Sequence, residues 1–415
     1  MTISYLDDAS LNAIYKRQFH NLQNNMFASY GNVWGPLRKT FGKGGDEIKG
    51  PIQVTFGGGV GASNDGTLPN ANLEAYLDPT YTWKRVYATV ELDGLAMKAA
   101  RTSEHAFINL AEKSTVNKMI SFNRFLGGMC LFNDGTGAMG QFSGSTGGTA
   151  AAPVVTMLTT GTYGYRKGFF EKGDDVNVNT LSSVWRIASV DHATPSITLT
   201  RLSGSDDLTA IGAGTHTIYM QNSKDACPYG FKGIIDNSSH YGVAEEYRYQ
   251  PTEVAAGGAD LEDEMMVELV EKLSEDTDEY PDTIVLPPVH YRKWLNLQED
   301  KGYFPKQTSR SPGKNNIASE KAMAKISYNG LVLAAGDGDI MVIKNKYVED
   351  TRIYAFNSKY VEVLAVGDKP GFQAQDGNKF LRVNGKDAYS AFLAFYGENL
   401  INPFHVGAIT GLPRT

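Results

Sequence analysis

The stretch IKGPIQVTFGGGVGASNDGTLPN, Ile48 to Asn70, followed shortly by YTWKRVYATVEL, Tyr81 to Leu92, decides how the rest of the chain is read. Ile48, Ile52, Val54 and Phe56 alternate with Lys49, Gln53 and Thr55, the period-2 pattern of a strand with two different faces. Such a run spans roughly 30 Å at about 3.3 Å per residue. In the second stretch both faces carry apolar groups: Tyr81, Trp83 and Tyr87 on one, Val86, Ala88, Val90 and Leu92 on the other. A two-stranded hairpin is marginal in water, and one with aromatic residues on both faces exposes surface that a monomer rarely tolerates. Folding back onto its own domain is the ordinary fate of such a hairpin; packing against a neighbouring molecule is the alternative, and the flanking segments favour it.

Upstream, residues 1–47 combine a short amphipathic stretch (Leu11, Ile14, Tyr15, Phe19, Leu22) with a basic, Gly-rich run containing Arg38, Lys39 and Lys43. These apolar residues are too few to enclose a core, so the segment reads as an arm. Downstream, Ser103 is placed to cap a helix carrying Phe107, Leu110, Ala111, Met119, Ile120, Leu126, Met129 and Cys130 at helical spacing. If unbroken to Phe132 it spans roughly 45 Å, with Gly127 and Gly128 weakening its last turn.

Residues 150 to 226 predict short strands around Val176, Val184 to Val190, Ile197 and Ile218, a small β-barrel or sandwich, with His192 and His216 read as solvated turn residues. Asp260 opens an amphipathic helix with a buried stripe of Leu261, Met265, Leu269 and Leu273 and an acidic outer face, followed by a compact apolar strand at Thr283 to Leu286. Later strands are expected at Ile340 to Ile343, Arg352 to Phe356, Tyr360 to Val366, Phe380 to Val383 and Ala388 to Tyr396.

A chain of 415 residues with 41% hydrophobic and 20% charged residues can build two or three globular cores. The net charge of −7 argues against a protein whose main task is gripping phosphate. Cys130 and Cys227 alone build neither a disulfide framework nor a CxxC zinc site. Met1 to Leu11 does not resemble a secretory signal, and no apolar run approaches a membrane span, so a soluble, cytoplasmically made protein is expected. GGGVGA, Gly57 to Ala62, fits a dinucleotide fingerprint by letter, but turn material follows it instead of a helix. Asp337 and Asp339 read as a turn, and Asn237 lies in a glycosylation sequon without a secretory context. No cofactor, metal or catalytic residue is expected.

The order of segments resembles the major capsid proteins of tailed phages. Tyr229-Gly230-Phe231-Lys232-Gly233-Ile234-Ile235-Asp236 is similar to that family's G-x-x-G-I-[IL] segment. The resemblance implies an α+β fold of the Hong Kong 97 type with a β-rich insertion. It maps 1–47 to an N-arm, 48–100 to an extended E-loop and return strand, and 101–150 to the spine helix of a peripheral domain. The insertion then covers 151–226, an axial domain 227–355, and late strands rejoining the peripheral domain 356–415. A shell subunit is implied, assembled in the host cytoplasm as hexamers and pentamers around double-stranded DNA that it touches weakly, with a scaffolding protein, a portal and a decoration protein as partners. The residues expected at contacts between copies are Phe19 and Trp34 of the arm and Phe56, Gly57, Gly59, Leu68, Tyr76, Tyr81, Trp83 and Tyr87 of the loop.

Leu11 to Leu22 is too short to replace a separate scaffold. Some relatives join an E-loop lysine to a neighbour covalently, but no lysine lies between Gly50 and Trp83, so a non-covalent shell is expected. Two other readings are an encapsulin, a compartment shell that holds cargo enzymes, and a β-rich enzyme acting on carbohydrate. For the enzyme, the carboxylates between 260 and 280 line one helix face, whereas glycosidase carboxylates must flank a cleft.

Overall fold

The computed structural model describes residues 33, 37–55, 57–64, 66–94, 107–144, 147–159, 163–166, 168–179, 181–212, 214–244, 249–277, 279–300, 330–335, 338–367, 371–372 and 381–414. Phe19, Trp34, Phe56, Ser103 and Asp337 lie outside these residues. Two compact units mix helices and strands. A sheet unit draws on Pro36–Trp83, Pro228–Gly367 and Gly397–Thr415, and a barrel unit on Lys84–Cys227 and Asp368–Tyr396.

The chain enters the sheet unit through β1 (Arg38–Lys43), β2 (Glu47–Lys49) and β3 (Ile52–Thr55), and returns through β4 (Ala75–Leu77) and β5 (Thr80–Thr82). β2 pairs with β5 and β3 with β4, setting Ile48 opposite Tyr81 and Ile52 opposite Leu77. Gly50-Pro51 interrupts the outgoing strand, since proline has no N–H to donate to a ladder.

The expected return strand, Tyr81 to Leu92, is divided. β6 (Lys84–Asp93) leaves the hairpin and pairs in the barrel unit with a late strand. Its alternation is real: Val86, Val90 and Leu92 are buried while Arg85, Tyr87, Thr89 and Glu91 are exposed. Alternation reports a half-buried strand without naming its partner, so the pattern alone overstates the length of the hairpin.

In the barrel unit, α1 (Phe107–Arg124) runs into a π-helical turn, Phe125–Cys130. Gly127 and Gly128 sit in that turn, where residues of poor helix propensity let the hydrogen-bond spacing slip. Cys130 and Cys227 are buried and form no disulfide.

Seven strands follow: β7 (Ala138–Ser143), β8 (Gly147–Thr149), β9 (Ala152–Thr156), β10 (Asp175–Val178), β11 (Val184–Asp191), β12 (Ser196–Ser203) and β13 (Thr215–Met220). Their order is β7-β13-β10-β11-β12-β9-β8. The outer edge of β7 is also taken: Phe142 bridges Met157, Leu158 N–H donates to the Gln141 carbonyl at 2.7 Å, and Gln141 N–H donates to the Tyr163 carbonyl at 3.1 Å. The sheet thereby closes on itself into a small barrel, which leaves β7 no unpaired edge. Phe142, Val155, Val176, Trp185, Ile197, Leu199 and Ile218 fill it. The strands begin at Ala138, ahead of the residue 151 expected. His192 does lie in a turn, bonded to the Tyr165 hydroxyl. His216 does not: it lies in β13, buried, with its Nε2 3.1 Å from the Gly212 carbonyl and its ring against Phe142.

The rest of the sheet unit comprises α2 (Phe231–Asp236), β14 (Thr252–Ala255), α3 (Asp263–Thr277), β15 (Thr283–Leu286), α4 (Pro288–Asp300), β16 (Gly330–Ala335), β17 (Gly338–Lys344), β18 (Ile353–Phe356) and β19 (Val361–Val366). Next come β20 (Gly371–Phe372), β21 (Leu381–Arg382), β22 (Ala388–Ile401) and β23 (Val406–Thr410). The central sheet has the order β14-β23-β18-β15-β17-β16. All four residues of β15 are buried, as a central strand between two partners requires.

Asp339 belongs to β17, paired opposite Ala334, and not to a turn. The late strands also differ from the expectation that 356–415 rejoins the other domain. β23 lies between β14 and β18, and Gly397–Ile401 of β22 pairs with β19, itself parallel to β1. Only Ala388–Tyr396, with β20 and β21, joins the barrel unit. The nearly all-apolar sequence of β23 suits a strand covered on both faces, so burial, not chain order, decides its place.

α3 covers this sheet through Met266, Leu269, Val270 and Leu273, with Leu261 buried just ahead of it; Met265 is only partly buried. Glu262, Glu264, Glu271 and Glu275 face solvent. The helix lies so close to β23 that a Cβ on Gly407 would meet the Leu269 and Leu273 side chains. Gly407→Ala should therefore lower the free energy of unfolding by about 1–3 kcal/mol, the usual cost of overpacking, seen as a lower denaturant midpoint when intrinsic fluorescence follows unfolding. An unchanged midpoint would mean that the helix can move away from the strand.

Candidate functional site

The hairpin formed by β2 to β5 has two chemically different ends. Toward the tip, residues 57–64 and 66–74 are exposed, and Val60, Leu73 and Leu68 are 101%, 94% and 86% accessible. Such values are those of side chains touching almost nothing of their own chain. Exposed single apolar residues are ordinary, but three in one projecting loop, with Tyr76 half-exposed beneath them, make an unsatisfied apolar surface. The tip holds its shape by local bonds: Thr67 N–H donates to the Ser63 hydroxyl at 2.9 Å and Ala75 N–H to the Thr55 hydroxyl at 2.9 Å. Gly59 has φ +101° and lies against the Asn70 carbonyl, a left-handed close approach that favours glycine.

The base is the opposite. Tyr81 is buried, its ring centroid 4.4 Å from that of Tyr241, and Tyr241 stands edge-on to Tyr229 at 5.3 Å. Thr80 N–H donates to the Tyr241 carbonyl at 2.8 Å. The Tyr241 hydroxyl donates to the Asn399 carbonyl at 2.6 Å and accepts from Ile401 N–H at 3.3 Å. Glu398 accepts from the Tyr229 and Asn399 N–H groups at 2.6 and 3.0 Å, and the Asn399 side chain donates to the Tyr229 carbonyl at 3.1 Å. Burial pushes the pKa values of Tyr81, Tyr241 and Tyr249 above the usual tyrosine value, so their hydroxyls stay protonated and remain donors.

Tyr241 reaches this position through a tight turn. His240 and Val243 exchange both backbone bonds, at 3.1 and 2.9 Å, around Tyr241 (φ 50°) and Gly242 (φ 81°). Two successive positive φ values mark a type I′ turn, whose first central position normally takes Asn, Asp or Gly. A bulky residue there is a genuine backbone outlier.

Of the contact residues expected from sequence, Gly57, Gly59, Leu68 and Tyr76 lie in the exposed part of the hairpin. Tyr81 is instead the anchor. Trp83 is partly exposed and donates its indole N–H to the Gly45 carbonyl at 2.7 Å. Tyr87 lies on β6 in the barrel unit, half-exposed, edge-on to Tyr396 at 5.8 Å and Phe392 at 6.3 Å. Sequence reading passed over Val60 and Leu73 at the tip and Tyr229, Tyr241 and Tyr249 at the base. The density of tyrosines between 229 and 249 was the available signal.

The chain matches no protein-family model and no curated protein by sequence. Solved structures do resemble it. The capsid asymmetric unit of cyanophage A-1(L) superposes with a TM-score of 0.56 at 9% identity, over 96% of this chain and 98% of that one. The capsid of a native GTA particle gives 0.50 at 10% identity, over 99% of this chain and 100% of that one. This is the Hong Kong 97-type capsid fold. At such identities the likeness is one of fold, carried by nearly the whole chain in both comparisons.

Within this capsid fold, the anchor predicts a separable effect. Tyr241→Asn should relax the turn while removing the ring that holds Tyr81. Amide exchange in β2 and β5 should then rise at least about tenfold, and β15 should stay protected. Equal protection of the hairpin in both proteins would show that Tyr241 is not its anchor.

Proposed function

We propose that this chain is the major capsid protein of a tailed phage, a structural subunit that assembles with copies of itself into an icosahedral shell around double-stranded DNA. The observation that carries the reading is the firmly anchored hairpin whose apolar tip has almost no contacts within its own chain, set on a capsid fold. In this reading the hairpin is the E-loop, α1 belongs to the spine helix, residues 1–47 include the N-arm, and the central sheet forms the axial domain. The shell resides in the virion and is assembled in the host cytoplasm; a scaffolding protein, a portal and a decoration protein are its partners. It acts by association, without catalysis.

Charge supports a head-to-tail contact. Between Gly50 and Trp83 the only charged residues are Asp65, Glu74 and Asp78, all acidic, so two tips repel one another and each must seat on a different surface. Such heterologous contacts generate rings, as capsomers require, and not closed symmetric pairs.

Deleting Gly58 to Asn70 should leave a folded subunit, by circular dichroism and thermal melting, that forms no closed shells under negative-stain microscopy. Normal shells from the deletion would remove the hairpin from assembly. Nucleic acid inside shells made during infection supports the phage reading, and cargo protein in its place would make the chain an encapsulin.

The absence of a loop lysine gives a second expectation. Assembled particles boiled in denaturing detergent should release monomers of 45.2 kDa. A ladder of oligomers surviving detergent and reductant would show covalent joining through an amine outside the loop.

A further inference from the structure

The turn that anchors the hairpin contains a buried imidazole with poor hydrogen bonding. His240 is wholly inaccessible. Its Nδ1 is 3.4 Å from a Tyr229 hydroxyl that already donates to the Gly233 carbonyl at 2.6 Å and accepts from Asn237 at 2.8 Å. Its Nε2 makes no bond of good geometry, although Gln250, which donates to the Ser238 carbonyl at 2.8 Å, lies near it. Aromatic rings surround it, Tyr249 at 6.1 Å and Tyr229 at 6.4 Å between centroids, and Tyr241 follows it in the chain. Among the described residues, the titratable groups packed on this turn are Tyr81, Tyr229, Tyr241 and Tyr249, with Glu398 bound to the backbone at Tyr229. Four of the five are neutral phenols, and the carboxylate's shown bonds go to backbone N–H groups.

A cation formed on His240 therefore has a buried site and, among the described residues, no counter-ion shown in contact with it. The same turn holds Tyr241 in a conformation that bulky residues avoid, kept in place by its contacts with Thr80, Tyr81 and Asn399. We propose that His240 and Tyr241 form an acid-sensitive latch on the hairpin: protonating the imidazole opens the turn and frees the β2–β5 base while the central sheet stays folded.

Burial lowers the basicity of His240 below its ordinary value of 6.5. The folded ring is neutral, so the unfolded turn binds the proton more readily, and stability present above pH 6.5 is lost as the pH falls below it. His290 and His405 of the same unit are shifted in the same direction, His405 to about 4, so the unit as a whole also weakens in acid. His290 faces the Asp350 carbonyl, Lys293 and Asp260, and His405 faces Tyr360, Glu279 and Lys359, none of them a residue of the hairpin turn. Location of the response separates the latch from these.

The inference rests on the hairpin's proposed role only for its biological consequence. The test reads the subunit itself, so failure here leaves the assembly reading intact, and a failed assembly test leaves the latch intact. Amide exchange on the full-length subunit at pH 7 and pH 5, corrected for intrinsic rates, should show protection in β2 and β5 falling about tenfold or more while β15 keeps its protection. His240→Gln should abolish that fall and His405→Phe should retain it. The latch is overturned by unchanged hairpin protection, by an equal loss in β15, by persistence of the fall in His240→Gln, or by its disappearance in His405→Phe. Should His240→Gln not fold, the wild-type pattern and the His405→Phe arm still decide.

Discussion

Tyr241 is held in a left-handed turn by contacts from two strands: in β5 Thr80 donates to its carbonyl and Tyr81 packs against its ring, and in β22 Asn399 accepts from its hydroxyl. A residue in such a backbone region costs on the order of 1–3 kcal/mol. Burying a large side chain such as Tyr81 returns about 1.5–3 kcal/mol, and each hydrogen bond adds about 1. The contacts together outweigh the strain. Asparagine would suit the turn and lose the ring, so the position trades local comfort for a long-range grip.

That grip gives the hairpin its character. Its base is packed as core while its tip is exposed and held by local bonds, so the subunit presents Val60, Leu68 and Leu73 to solvent on an anchored hairpin. The three are separated by Gly, Ser, Asn, Thr and Pro, and the neighbouring charges are acidic. Spacing of this kind keeps the apolar surface in small pieces, which limits indiscriminate association yet leaves area to bury on a matching surface. In the proposed shell, contacts of this size are individually weak, and repetition around every subunit supplies the stability.

Much of the fold was legible because burial imposes a period. α3 shows its core stripe at helical spacing, β15 stands out as four apolar residues between turn signals, and the barrel announces itself as short strands separated by Gly, Asp and Ser. Period says which face is buried and nothing about what buries it. β6 was thus read as the return arm of the hairpin when its partner is β22, and β23 was assigned to the wrong unit although its apolar run was visible. His216 looked like a turn residue because polar neighbours surround it in sequence; the packing of Phe142 against its ring is a contact between β7 and β13.

The anchor was the least legible part, and for a specific reason. A type I′ turn advertises itself through Asn-Gly or Asp-Gly, the residues that reach positive φ at little cost. At Tyr241-Gly242 that signal is half erased, because the first position is chosen for what its ring and hydroxyl touch at Tyr81 and Asn399. Local propensity and tertiary contact disagree there, and the contact wins. Disagreements of this kind concentrate where a protein must hold one element in a set position. A tyrosine ahead of glycine, between short extended segments and close to other tyrosines, is therefore a sign of a long-range clamp, and its partner is to be sought among buried aromatics far away in sequence.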